Sequence, residues 1–116
     1  MHELSICQSM INQINTIARQ HHADKVTKVI LHIGPLSGVE PQLLMQAFPL
    51  ASAGTIASDA ALVIEAQPIR VHCRSCEKES EATINRLICG HCGGHQTRVI
   101  SGDEMLLANL ELKSNV

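Results

Sequence analysis

Apolar residues between positions 4 and 22 recur at intervals of three and four. Leu4, Cys7, Ile11, Ile14 and Ala18 form the stripe, and Met10 and Ile17 widen it. That period predicts an amphipathic helix over 4–22. Gln8, Asn12, Asn15, Arg19 and Gln20 supply its wet side. His21 and His22 close the pattern at a solvated C-terminal end, where a partly cationic imidazole is favoured by the helix dipole. Cys7 lies on the apolar stripe and reads as a core residue rather than a metal ligand.

The period then changes. Residues 26–33, Val-Thr-Lys-Val-Ile-Leu-His-Ile, are rich in β-branched side chains and predict a strand ended by Gly34-Pro35. His32 shares a face with Lys28 and Ile30, which suits a surface or partner-facing role. Pro41 fits the first turn of a second helix over 41–53 carrying Leu43, Leu44, Ala47 and Phe48. Pro49 is expected to kink or end it. Residues 61–67 read as a second strand, and strand-helix-strand runs of this length favour a parallel pair with a right-handed crossover. Alternation returns at 104–112, with Leu106, Ala108, Leu110 and Leu112 expected on one face.

Between Pro68 and residue 99, cysteine, histidine, glycine and charged residues replace the periodic pattern. The predicted fold class is therefore α+β: a small mixed three-stranded sheet with two helices, plus an inserted zinc-ribbon-like four-cysteine domain. Residues 1–68, completed by a strand at 103–113, make the first domain, and 69–99 make the insert.

Composition narrows the picture. With one Phe and no Tyr or Trp, the core must be aliphatic. A net charge of -2 leaves no electrostatic footprint for nucleic acid. The opening Met1-His2-Glu3-Leu4 is not a basic segment followed by an apolar one, and no apolar run approaches a bilayer span. The expectation is a cytoplasmic chain, in which cysteines serve as metal ligands rather than disulfides.

The cysteines are spaced for that. Cys73-x-x-Cys76 and Cys89-x-x-Cys92 are separated by twelve residues. Two residues between cysteines let a tight turn aim both thiolates at one ion, and two such turns complete a closed tetrahedral zinc site with no position for water. Iron in a rubredoxin-like site and four unrelated thiols are the alternatives. The large apolar residues of this segment are Val71, Ile84, Leu87, Ile88 and Val99. Metal binding is expected to supply much of its folding free energy, in place of a hydrophobic core. His72, His91 and His95 crowd the site. They are exposed loop residues, or else His72 or His95 can replace a thiolate in response to pH or nickel.

A second metal chemistry stands at the N-terminus. His2 puts an imidazole beside the α-amine of Met1 and the intervening backbone amide, and three such nitrogens close two fused chelate rings on one ion. The Glu3 amide can add a fourth nitrogen, a donor set that suits Ni(II) or Cu(II). The alternative is a plain surface histidine.

The opening Met1-His2-Glu3-Leu4-Ser5 resembles the start of the HypA/HybF family of nickel metallochaperones. The resemblance continues through Ile33-Gly34-x-Leu36-Ser37-Gly38-Val39-Glu40, both cysteine pairs, and Gly102-Asp103-Glu104-Met105. It spans nearly the whole chain, in family order. It implies nickel at the N-terminus, with His2 as the essential side-chain ligand, the Met1 amine beside it and the Glu3 backbone as a further donor. Glu40 matches an acidic position near that site. It also implies structural zinc on the four cysteines, transported Ni(II), and a HypB-type GTPase and the NiFe-hydrogenase large-subunit precursor as partners. A homodimer is allowed, and some members serve urease. Some relatives carry cysteine where Gly38 stands, so no thiol role carries over there.

Two function classes follow: a nickel carrier, or a zinc-ribbon adaptor for protein or nucleic acid. The adaptor predicts clustered basic and aromatic residues. Arg70, Arg74, Lys78, Arg86 and Arg98 are instead interrupted by Glu77, Glu79 and Glu81, with no aromatic for stacking. No Gly-Lys-Ser/Thr phosphate loop and no nucleophile-base set can be assembled, so no enzyme is expected.

Overall fold

The computed structural model describes residues 2–114. The first stripe forms helix α1, His2–Gln20. Its buried positions are Glu3, Cys7, Met10, Ile11, Ile14 and Ala18, so the stripe begins at Glu3. Leu4, expected inside, is 38% exposed. One residue is about 100° of helix rotation, enough to carry Leu4 off the buried face. The helix ends in a Schellman-type turn. His22, at φ 54°, donates its backbone N–H to Arg19 O, and Ala23 N–H reaches Ala18 O. His21 and His22 are both exposed there.

Strand β1, Lys25–Ile33, buries Val26 and then Val29, Leu31 and Ile33. The inward parity changes at Thr27-Lys28. Strands β2, Ala61–Ala66, and β6, Met105–Lys113, flank β1 in the order β2-β1-β6. Val26 N–H bonds Ile56 O near one end and Gln67 N–H bonds Ile33 O near the other, so that segment runs parallel to β1. Asp24 N–H to Lys113 O and Gly34 N–H to Glu104 O make β6 antiparallel. The chain advances ten residues from Asp24 to Gly34 but nine from Glu104 to Lys113. The extra residue falls where the parity changes. Thr27 Oγ1 donates to Glu111 O and Lys28 Nζ pairs with the Glu111 carboxylate, two residues against one, as in a β-bulge. On β6 the better-covered positions are Met105, Leu107, Leu110 and Leu112. The single face expected for Leu106, Ala108, Leu110 and Leu112 is not kept, because the alternation shifts phase at Ala108-Asn109.

Helix α2, Pro41–Ser52, starts on its proline, where the missing N–H costs no helical bond. It runs past Pro49 to Ser52 rather than ending there. The proline sits in the last turn and forgoes only one intrahelical bond. Leu44 and Phe48 are buried, and α1 packs on α2.

Strands β3, Ile69–Cys73, β4, Glu79–Ala82, and β5, Thr97–Ser101, form a second antiparallel sheet in the order β4-β3-β5. The expectation of a coreless insert is corrected here. β3 is the central strand and turns Ile69, Val71 and Cys73 to one buried face, with Ile69 and Val71 at 2% and 0% exposure. A short apolar floor thus underlies the cysteines. The architecture is α+β, with two helices, two small three-stranded sheets and a zinc-ribbon-like cysteine cluster.

The chain divides into two compact units. One comprises 1–31, 40–64 and 107–116, and its core holds Cys7, Met10, Ile11, Ile14, Val29, Leu31, Leu44 and Phe48. The other comprises 32–39 and 65–106, and contains the second sheet with all four paired cysteines.

Candidate metal centres

Cys73 ends β3, and the remaining three cysteines lie on the turns that follow. The Sγ atoms of Cys73, Cys76, Cys89 and Cys92 all lie within 4.8 Å of one another. Cys73 and Cys92 are 3.6 Å apart, and Cys76 and Cys89 are 3.5 Å apart. A tetrahedron of sulfurs about 2.3 Å from zinc has edges of about 3.8 Å, so the cluster fits the ion. Among the described residues, no histidine nitrogen joins this group of atoms. His91 points elsewhere, its Nε2 lying 3.2 Å from Glu79 O.

The thiols without a cation are unequal. The backbone N–H groups of Cys92 and His91 pull Cys89 down to about 6. The backbone N–H of Cys76 likewise holds Cys73 below the ordinary thiol value. At Cys76 the Lys78 N–H lowers the thiol, but burial and the three neighbouring sulfurs outweigh it and push it up to about 11. Cys92 is raised too: the Gly94 N–H lowers it, and Cys73 and Cys89 more than offset that. Four thiolates this close repel one another, and a dication is the group that reconciles them.

The two Cys-x-x-Cys turns are built alike. Glu77 N–H bonds Cys73 O and Cys73 N–H bonds Lys78 O; Gly93 N–H bonds Cys89 O and Cys89 N–H bonds Gly94 O. The fourth residue after each leading cysteine is left-handed: Gly93 at φ 73° and Glu77 at φ 59°. A left-handed L-residue costs roughly 1–2 kcal/mol, and glycine returns roughly 0.5–1 kcal/mol of that through the entropy of the unfolded chain. Glu77→Gly should therefore leave the zinc-loaded protein as stable or up to about 1 kcal/mol more stable. Gly93→Ala should lose about 1 kcal/mol. Thermal melts check both, and a clearly lower Tm for Glu77→Gly contradicts the strain argument.

At the other centre, His2 opens α1 with its side chain 63% exposed, while the Glu3 side chain is 6% exposed. His2 Nε2 lies 3.2 Å from Glu3 Oε2. The Glu40 backbone N–H also points at Glu3 Oε2, at a long 3.5 Å. Burial tends to raise the Glu3 carboxyl, but its own N–H, the Glu40 N–H and the His2 imidazole outweigh it and hold the group below the ordinary carboxylate value. Position 40 thus comes to the N-terminal residues through its backbone. Met1 lies outside the described residues. Sequence reasoning named Glu3 only for its backbone nitrogen and missed the buried carboxylate. Extending the α1 stripe back from Cys7 by four residues would have found it.

Cys7 is fully buried, its Sγ 3.7 Å from Leu44 O. Burial and the Glu3 charge raise its thiol, which makes it an inert core residue. His32 pairs with Glu65 at 2.9 Å on the half-covered face of β1.

A sequence model of the family described as HypA, hydrogenase/urease nickel incorporation metallochaperone, matches residues 1–112. The hydrogenase maturation factor HypA of Nitrosospira multiformis is 50% identical over 112 residues, 97% of each chain. The factor of the same name from Aquifex aeolicus is 45% identical over 113 residues, 97% of this chain and 98% of its own. The solution structure of the Ni metallochaperone HypA from Helicobacter pylori superposes with a TM-score of 0.73 at 26% identity, covering 99% of this chain and 100% of that one.

Proposed function

This chain belongs to the HypA family of nickel metallochaperones for hydrogenase maturation, and from that premise we propose that it takes up Ni(II) at Met1, His2 and Glu3 and delivers it to the NiFe-hydrogenase large-subunit precursor. The observation that carries this reading is His2: an exposed imidazole at the first position of α1, beside a buried carboxylate. The Met1 amine, the His2 imidazole and the Glu3 backbone supply nitrogen donors suited to Ni(II). A carrier must release its ion, so an exposed site is preferable to a buried cage. Cys73, Cys76, Cys89 and Cys92 hold structural zinc. Residues 1–68, with the strand at 103–113, carry nickel, and 69–99 carry zinc.

A cleft of about 280 Å³ opens beside Glu3, lined by Leu4, Leu43, Ala47 and Leu50. Leu43 and Leu50 are 45% and 74% exposed. Exposed apolar surface of this kind supports contact with a protein, here a HypB-type GTPase or the large-subunit precursor. The exchange belongs in the cytoplasm, where thiols stay reduced. Among the described residues no helix is long and apolar enough to cross a membrane.

Nickel calorimetry on the untagged protein, on His2→Ala and on a chain extended at its N-terminus tests the site. Binding is expected in the first alone. Equal binding in all three sinks the proposal, and unchanged hydrogenase maturation with His2→Ala sinks its role.

A further inference from the structure

We propose that Ser80 and Thr97 are positioning residues for the zinc cage. They clamp the Cys89–Cys92 turn onto a sheet that already fixes Cys73 and Cys76, which makes that turn the arm that opens when zinc is exchanged. This rests on zinc at the four cysteines. The two Cys-x-x-Cys turns are alike inside and attached differently outside. The first is the hairpin turn between β3 and β4. Cys73 is the last residue of the central strand, and main-chain bonds hold the turn on both sides: Cys73 N–H to Lys78 O toward β4, and Arg74 N–H to Gln96 O toward β5.

The second turn lies in loop 83–96, between β4 and β5. From Ile84 to Gly94 the main-chain bonds stay inside the loop: Arg86 N–H to Thr83 O, Gly93 N–H to Cys89 O and Cys89 N–H to Gly94 O. Side chains make the attachment to the sheet instead. Ser80 Oγ accepts from Gly90 N–H at 2.9 Å, and Thr97 Oγ1 donates to Leu87 O at 2.6 Å. These bonds grip the chain directly after Cys89 and two residues before it. His91 adds a third tie, donating from Nε2 to Glu79 O at 3.2 Å.

Register puts both hydroxyls beside the cysteines. Ser80 is the β4 partner of Val71, and Thr97 is the β5 partner of Cys73. Cross-strand partners share a face, so the two side chains flank the central strand on the buried side that carries Cys73. The contact is close: a Cβ on Gly90 would lie 3.2 Å from Ser80 Cβ. Held there, Cys89 is 1% exposed, whereas Cys92 at the far end of the turn is open to solvent. Groups behind metal ligands fix their orientation and through it the metal affinity. An arm attached by side-chain bonds opens at lower cost than a hairpin turn laddered into the sheet.

The test uses full-length, zinc-loaded protein in four forms: wild type, Ser80→Ala, Thr97→Val and Thr97→Ser. Zinc release into excess chelator should quicken by roughly 10-fold in Ser80→Ala and in Thr97→Val. Thr97→Ser keeps the hydroxyl and should match wild type. Hydrogen exchange on the loaded proteins, read as protection factors, separates positioning from a general loss of stability. In wild type the Cys89 and Gly93 amides should be less protected than those of Cys73 and Glu77. Ser80→Ala and Thr97→Val should lower the first two and leave the second two unchanged. Equal protection of both turns in wild type, or one uniform drop in the variants, means that the unit opens as a whole and overturns the arm. Unchanged release in both Ser80→Ala and Thr97→Val, or release from Thr97→Ser as fast as from Thr97→Val, overturns the clamp. If Thr97→Val does not fold, Ser80→Ala and the wild-type exchange pattern carry the test. Wild-type protein that binds no zinc overturns the four-cysteine site, and the clamp with it.

Discussion

Removing zinc with a chelator, or replacing Cys89 by serine, is expected to unfold residues 65–106 while α1 and α2 stay helical. The magnitudes decide this. The buried apolar side chains beneath the cysteines are Ile69 and Val71, worth roughly 1.5–3 kcal/mol each. Structural zinc contributes roughly 10–16 kcal/mol in small domains, several times what those two side chains supply. Cys89 is the most damaging position to lose, since it is 1% exposed and its sulfur accepts from the backbone N–H groups of His91 and Cys92. The helical unit keeps its own core of Ile11, Ile14, Val29, Leu31 and Leu44. Amide NMR of the zinc-free protein should show collapsed dispersion for Val71 and Val99 and preserved signals for α1. Native-like shifts at Val71 without zinc would falsify the view that the metal organises this unit.

The sequence was most legible where one physical rule acts alone. Two Cys-x-x-Cys turns need only local geometry, and the structure brings all four sulfurs together. The α1 stripe and the β1-α2-β2 order follow from periodicity, which burial enforces. Legibility failed where a partner on a distant segment decides. The bulge at Thr27-Lys28 depends on Glu111 across the sheet, and nothing near residue 27 announces it. The second sheet was hidden because Ile69 and Val71 are too few to set a period, and β4, Glu-Ser-Glu-Ala, looks like loop. Glu3 was passed over because a carboxylate is not expected on an apolar stripe, although its position in the period was visible.

Gly34→Ala should be the costliest single change outside the cysteines, at roughly 3 kcal/mol or more. Gly34 follows β1 and donates its N–H to Glu104 O, and Leu36 N–H closes the turn on Gly102 O. A Cβ on Gly34 would run into the carbonyl oxygen, carbonyl carbon and Cα of Gly102. Those are backbone atoms, so no rotamer change relieves the clash. Nor can Gly102 retreat. It sits at φ 102°, and a Cβ built on it would lie 2.7 Å from Ile69 Cα and 3.0 Å from Pro68 O. Three backbone segments are stacked at contact, so space requires both glycines, and at Gly102 the positive φ requires one too. Gly38 provides the control. Its φ is 79°, but a Cβ there meets nothing within 4 Å, so Gly38→Ala should cost only about 1 kcal/mol of left-handed strain. Denaturant titrations of the zinc-loaded proteins should separate the two variants by roughly 2 kcal/mol or more. Equal losses would mean that the contact between Gly34 and Gly102 relaxes until it costs no more than the left-handed strain at Gly38. The larger loss at Gly34 would place the close approach of these two chain segments among the main constraints on this unit, beside the zinc.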